Sequence, residues 1–229
     1  MPAELREQLV WPLALRIVHW TLALTVVLLL TTGWLIGSGL VPDEQLYQLL
    51  RRDLHVPAGQ IAALAVIGRI LLLFLDRGAA GWRALVPRRS STPAVAEMFR
   101  FYLSWGRRRP PAYFGHDPFW ALVYPAFLLL IVVQVAGGLA LEIDGLRQIS
   151  GLSANALSVW HQAGAGLLFW VVVLHVLSVL LREVRTKSWD ISAMIQGYRV
   201  FRVERQGESG RQSQASVSVA EIINRREKG

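Results

Sequence analysis

Between Val159 and Arg182 the chain reads VWHQAGAGLLFWVVVLHVLSVLLR. The stretch is apolar and long enough to cross a bilayer as one helix. It nevertheless carries His161 and His175. Their spacing is close to four helical turns, so both imidazoles leave nearly the same face, about 21 Å apart along the axis. An imidazole in an apolar span is costly unless something pairs with it, and such residues mark functional sites. A hydrogen bond to a neighbouring helix accounts for one such histidine. Two on one face at different depths point instead to ligation of metal centres, and the centre suited to a helix bundle is haem.

Composition agrees with a membrane setting. Of 229 residues, 53% are hydrophobic and 17% charged, with a mean hydropathy of +0.39. That balance describes an integral membrane protein of several helices. The chain has no cysteine, which excludes thiolate-held iron–sulfur clusters, disulfides and covalent haem attachment. A net charge of +8 raises nucleic acid as a partner. In a membrane protein the distribution of charge sets topology, and no nucleic-acid partner is expected.

Four spans follow from the hydropathy pattern, over residues 13–36, 56–75, 119–141 and 159–181, with Pro57 in the first turn of the second and Pro125 inside the third. The first is of full spanning length with no small-residue cleavage pattern behind it, so it reads as a span and not a leader. Residues 95–105 (VAEMFRFYLSW) read as a short surface helix, and 188–201 (SWDISAMIQGYRVF) as an amphipathic helix on the membrane surface. The expected architecture is an all-α four-helix membrane bundle over residues 11–203, with that surface helix after the last span. Residues 204–229 read as a disordered tail.

Lys and Arg number 2 in residues 1–16, 8 in loop 76–118 and 10 after Leu181, against 2 and 1 in the remaining loops. The positive-inside rule then puts both termini in the cytoplasm of a bacterial inner-membrane protein. Orientation gives each histidine a depth. His55 and His161 fall at the outer side, His19 and His175 at the inner side. The expectation is two non-covalent b-type haems, ligated by His55 with His161 and by His19 with His175. Gly33 falls at the depth of the outer haem and Gly68 near that of the inner one, where small residues let a macrocycle approach.

Arg69, inside the second span at the inner depth, has two readings: counter-ion to a haem propionate, or a side chain snorkelling to the headgroups. Trp20 and Trp160 read as interfacial belt residues. His116 and Asp117 stand in GHDP (115–118) at the cytoplasmic entry to the third span. Asp117 followed by Pro118 is an ordinary helix start. The pair is also placed to hydrogen-bond and protonate a quinone head.

These segments together resemble the cytochrome b subunit of membrane-bound nickel–iron hydrogenases, within the four-helix di-haem cytochromes b. The resemblance is carried by RIVHW (16–20), LHVPAGQ (54–60), GRI (68–70), YFGHDP (113–118), WHQAG with LHV and RE (160–183), and ISAMIQGYRVFR (191–202). It covers most of residues 11–203. It implies that His19, His55, His161 and His175 are the haem ligands. It further implies an electron-transfer subunit that anchors a periplasmic hydrogenase, takes electrons from an iron–sulfur cluster of its small subunit and passes them to membrane quinone. Where that family usually has Asn after the GH dipeptide, this chain has Asp117. The same scaffold also suits a formate dehydrogenase, a thiosulfate reductase or a cytochrome c as redox partner. A reading of another class, a haem-free membrane anchor, leaves four histidines at two depths without a purpose.

Overall fold

The computed structural model describes residues 4–86, 92–111, 113, 115–186, 190–203 and 214–216. In chain order the elements are β1 (Glu4–Leu9), α1 (Leu13–Gly37), α2 (Glu44–Gln48), a π-helical turn (Leu49–His55) running into α3 (Val56–Leu75), and a short 3-10 turn (Trp82–Ala84). Then come α4 (Thr92–Leu103), α5 (Pro118–Glu142), α6 (Asp144–Ser150), α7 (Ala154–Thr186), α8 (Asp190–Gln196), β2 (Tyr198–Val203) and β3 (Gln214–Ser216). Four helical stretches, Leu13–Gly37, Glu44–Leu75, Pro118–Glu142 and Ala154–Thr186, are long and apolar enough to cross a membrane. The last, with 33 residues, is about 50 Å long at helical rise and so outruns a hydrocarbon layer of about 30 Å. The spans present large apolar side chains outward, among them Leu24, Leu64, Leu129 and Trp170, each more than 60% exposed. Water would penalise such a surface and lipid accepts it.

The chain divides into two compact units. The first, Ile17–Leu72 with Pro125–Val173, has a core of Val26, Val66, Ile131 and Leu168, one from each long helix. Leu22, Leu30, Ile70, Phe127 and Val172 pack against it. Along α3, Ala58, Ala62, Ala65, Val66 and Arg69 are buried at intervals of one to four residues. Small residues in such a stripe let helix backbones approach, which lipid-embedded helices need because no hydrophobic drive holds them together. Arg51 and Glu142 form an ion pair at 2.6 Å between the turn before α3 and the end of α5.

The second unit comprises Met1–Arg16, Leu73–Tyr124 and Leu174–Gly229. Here the all-α expectation needs correction, because the unit contains an antiparallel sheet in the order β1-β2-β3. Glu4 pairs with Val203 and Leu9 with Tyr198, while Phe201 pairs with Ser216. The helix expected over 188–201 is likewise shorter. It ends at Gln196, and Gly197, at φ +96°, turns the chain into β2. That conformation suits glycine and ends helices. The Gly197 carbonyl accepts the Val10 and Trp11 N–H groups at 2.8 and 3.0 Å, and the Arg16 guanidinium donates to the Ile195 carbonyl. Met98 and Phe101 of α4 are fully buried. Apart from β3, the expected tail over 204–229 lies outside the described residues.

Candidate functional site

His55 ends the π-helical turn, where the Val56 N–H reaches back to the Arg51 carbonyl. Such widened turns recur at functional positions because they re-aim side chains. The His55 ring meets α1 at two adjacent residues. Its Nδ1 lies 2.8 Å from the Thr32 hydroxyl, and a Cβ on Gly33 would stand 3.2 Å from its Cε1. His161, near the start of α7, leans on α5 in a comparable way. A Cβ on Gly138 would stand 3.3 Å from its Cε1, and one on Gly137 3.7 Å from its Nδ1. The Gln134 backbone faces the same ring. The His161 Nδ1 is buried and makes no hydrogen bond of ordinary geometry among the described residues. The buried Gln134 side chain covers Gly164, one turn beyond His161, filling the space a side chain there would take.

The His55 and His161 rings stand with centroids 6.3 Å apart and planes at 80°. A metal in line between one nitrogen of each ring, at about 2.0 Å from each and with about 1.2 Å from nitrogen to ring centre, would separate the centroids by about 6.4 Å. The observed spacing therefore fits one metal between two imidazoles. Among the described residues no three His, Cys, Asp or Glu side chains gather to hold an ion. A metal between these rings must find its other ligands elsewhere, and a haem macrocycle brings four of its own. The bare backbone at Gly33 and Gly138 gives each ring its place. The residues present fit a bis-imidazole haem.

The other expected residues have these surroundings. His19, in the first unit, is half-buried with its ring edge-on to Trp20 at 5.5 Å. Arg69, in the same unit, is only 2% exposed. In the second unit, His175 meets Trp120 edge-on at 4.9 Å. The Trp120 indole donates to the Ser178 hydroxyl at 2.7 Å, and Ser178 donates to the His175 carbonyl at 2.7 Å. Asp117 caps α5 with Oδ1, which accepts the Phe119 and Trp120 N–H groups at 2.9 and 3.1 Å. Its Oδ2 accepts the Tyr102 and Tyr113 hydroxyls at 2.6 and 3.2 Å. Burial, and then the adjacent Asp117 carboxylate, push the Tyr102 phenol well above its ordinary pKa. His116 Nε2 lies 2.9 Å from the Ala79 carbonyl, and its ring packs edge-on against Trp11 at 4.8 Å. The Arg182 guanidinium lies over the Tyr113 ring at 4.4 Å.

Residue type alone does not mark Thr32, Gly137 or Gly138 in the sequence. A threonine in an apolar helix is common, and a Gly-Gly pair reads as ordinary helix packing. Their signal is position: Thr32 precedes Gly33, which stands against the His55 ring.

Comparison with known proteins bears on these residues as a set. The family model described as prokaryotic cytochrome b561 matches residues 10–197, a range that holds all five histidines. A probable Ni/Fe-hydrogenase B-type cytochrome subunit of Azotobacter chroococcum mcd 1 is 29% identical over 216 residues, 86% of this chain and 90% of its own. Its counterpart in Azotobacter vinelandii is 28% identical over the same shares. The probable Ni/Fe-hydrogenase 1 B-type cytochrome subunit of Escherichia coli (strain K12) is 27% identical over 205 residues, 80% of this chain and 87% of its own. Four apolar helices, a histidine pair spaced for one metal and a family match over most of the chain agree: this is a multi-pass membrane protein that belongs to the prokaryotic cytochrome b561 family.

Proposed function

We propose that this chain is the membrane electron-transfer subunit of a nickel–iron hydrogenase, carrying electrons from the hydrogenase to quinone through two b-type haems. The observation that carries the reading is the 6.3 Å separation of the His55 and His161 rings, a span that fits one metal and two imidazoles. The relatives' names support the hydrogenase as partner.

In this reading His55 and His161 hold the outer haem. His19 and His175 hold the inner one, a pairing that rests on their helical positions in the sequence. Each haem supplies a one-electron iron couple. The protein's own contribution is to fix the imidazoles, to exclude water with the apolar core, and to place charge. Arg69, buried at the inner depth, supplies a cation for a haem propionate. Both termini lie in the cytoplasm of an inner-membrane protein, on the distribution of Lys and Arg. The opposite, periplasmic side docks the hydrogenase small subunit, whose iron–sulfur cluster is the electron donor.

Quinone binds at the cytoplasmic side near His116 and Asp117. The Asp117 carboxylate, engaged by four donors, acts there as a fixed anion that orders the two tyrosines. His116 is the better placed of the pair to hydrogen-bond a quinone oxygen.

Pyridine haemochrome assay of the purified chain, with a redox-resolved spectrum, tests the proposal. Two b haems per chain are expected, with His161→Ala and His175→Ala each losing a different one. Absence of haem, or one haem untouched by either substitution, would overturn it.

A further inference from the structure

A neutral imidazole offers a metal one nitrogen while the other carries the proton, and a second-shell partner decides which is which. At His55 the proton's place follows from the hydroxyl beside it. Thr32 Oγ1 lies 2.7 Å from the Leu28 carbonyl oxygen and 2.8 Å from His55 Nδ1, with the Leu29 carbonyl at 3.4 Å. A carbonyl oxygen only accepts, and a hydroxyl has one hydrogen to donate. Two oxygens at 2.7 Å need that hydrogen between them, so the Thr32 proton is committed to Leu28. Helical threonines make this back-bond as a habit. Thr25 and Thr31 make it on the same helix, to Thr21 and Val27 at 2.7 and 2.8 Å. With its proton so engaged, Thr32 meets Nδ1 as an acceptor, and Nδ1 carries the hydrogen. Thr32 is 2% exposed, so water does not compete for either contact.

We infer that Thr32 is the positioning residue of the outer centre. It holds His55 in the tautomer protonated at Nδ1, which leaves Nε2 with its lone pair as the metal-binding atom. The inference rests on the reading of His55 as a haem ligand. Gly33 completes the arrangement from the next position on α1 by leaving room for Cε1, the ring carbon bonded to Nδ1. Two consecutive residues thereby set the protonation and the position of one ligand. A hydrogen bond accepted from Nδ1–H makes the imidazole a stronger electron donor. The oxidised iron gains more from that donation than the reduced iron, so the bond holds the outer haem's potential down.

The test uses the full chain carrying both haems, with Thr32→Val, Thr32→Ser and His55→Ala. Valine keeps the branched shape and removes the acceptor, while serine keeps the hydroxyl. Haem content is read at limiting haem, and both midpoint potentials by spectroelectrochemical titration, with the inner haem as internal control for folding. The expected result is that His55→Ala loses one haem. Thr32→Val weakens that same haem by about 10- to 100-fold, the range for lost second-shell partners, and raises its potential, and Thr32→Ser restores both. If His55→Ala loses one haem but Thr32→Val leaves its affinity and potential unchanged, the inference fails and the haem reading stands. Equal shifts in Thr32→Val and Thr32→Ser also overturn it, since packing alone would then be responsible. If His55→Ala retains both haems, the ligand reading fails and takes the inference with it.

Discussion

Replacing Gly138 with alanine asks the His161 ring for space that α5 does not have. The new Cβ would stand 3.3 Å from His161 Cε1, inside the 3.5–4.0 Å at which carbon atoms pack best. The ring or the helix must give by a few tenths of an ångström. Overpacking of this kind costs about 1–3 kcal/mol. At about 1.4 kcal/mol per factor of ten, that predicts a loss of about 5- to 150-fold in affinity for a haem that His161 ligates. Alanine also favours a helix interior over glycine by about 0.5–1 kcal/mol, so haem affinity falls further than folding stability does. Gly137→Ala is the matched control. It sits on the same helix with the same gain in propensity, but its Cβ would lie 3.7 Å from Nδ1, an ordinary contact. Haem titration of the two purified variants, followed by the reduced-minus-oxidised spectrum, checks the contrast. Gly138→Ala is expected to lose outer haem at limiting supply while Gly137→Ala keeps it. Equal behaviour of the two, or a worse defect in Gly137→Ala, would refute the reasoning.

Asp117→Ala removes the cap of α5 at about 1 kcal/mol and leaves the half-buried Tyr102 hydroxyl without its acceptor at about 1–3 kcal/mol. Denaturation in detergent is expected to show a loss of about 2–4 kcal/mol; Asp117→Asn keeps one oxygen for the cap but turns an NH2 donor towards the tyrosines, so it should recover only the cap's share of about 1 kcal/mol. Because the Tyr102 pKa is raised in the folded state, its stabilisation is complete below about pH 10, the ordinary tyrosine value. It is lost as pH rises from there towards the folded pKa; Tyr102→Phe should flatten that alkaline decline in unfolding midpoint. Arg69→Gln removes a buried cation at the inner depth, so redox titration should find the inner haem's potential lowered and the outer one unmoved. Glu142→Gln breaks the ion pair with Arg51, whose side chains are 41% and 35% exposed; a stability change under about 1 kcal/mol is expected.

The long helices were legible because lipid demands uninterrupted apolar runs, and their bounds moved by only a few residues except at α7. That helix starts at Ala154 and ends at Thr186, beyond the apolar stretch at both ends, where hydropathy alone carries no signal. The sheet was illegible for a different reason. β1 reads ELREQL, with no clean alternation of its own, and its partner β2 lies almost the whole chain away. β2, YRVFRV, did carry a strand signal in its aromatic and branched residues. The amphipathic pattern of the preceding helix overlays it, with Gly197 as the stop between them. A glycine followed at once by β-formers is the sign that would have separated α8 from β2.

At the site, depth arithmetic along single helices was enough to put His55 and His161 in one candidate pair, because an axial rise of 1.5 Å per residue leaves little freedom over a span. The same arithmetic says nothing about rotation between helices. Whether Thr32 or Thr31 meets an imidazole depends on which face of α1 turns towards α3, and two adjacent threonines look alike in a sequence. The fold resolves it. Thr31 is exposed and bonds back to Val27, whereas Thr32 is buried and adds His55 to its own back-bond. Candidate ligands of a membrane haem are therefore readable from spacing, while the groups that would set their basicity are readable only from packing. For this chain that predicts an asymmetry: Thr31→Val, one position away and chemically identical, should leave both haem potentials where they are.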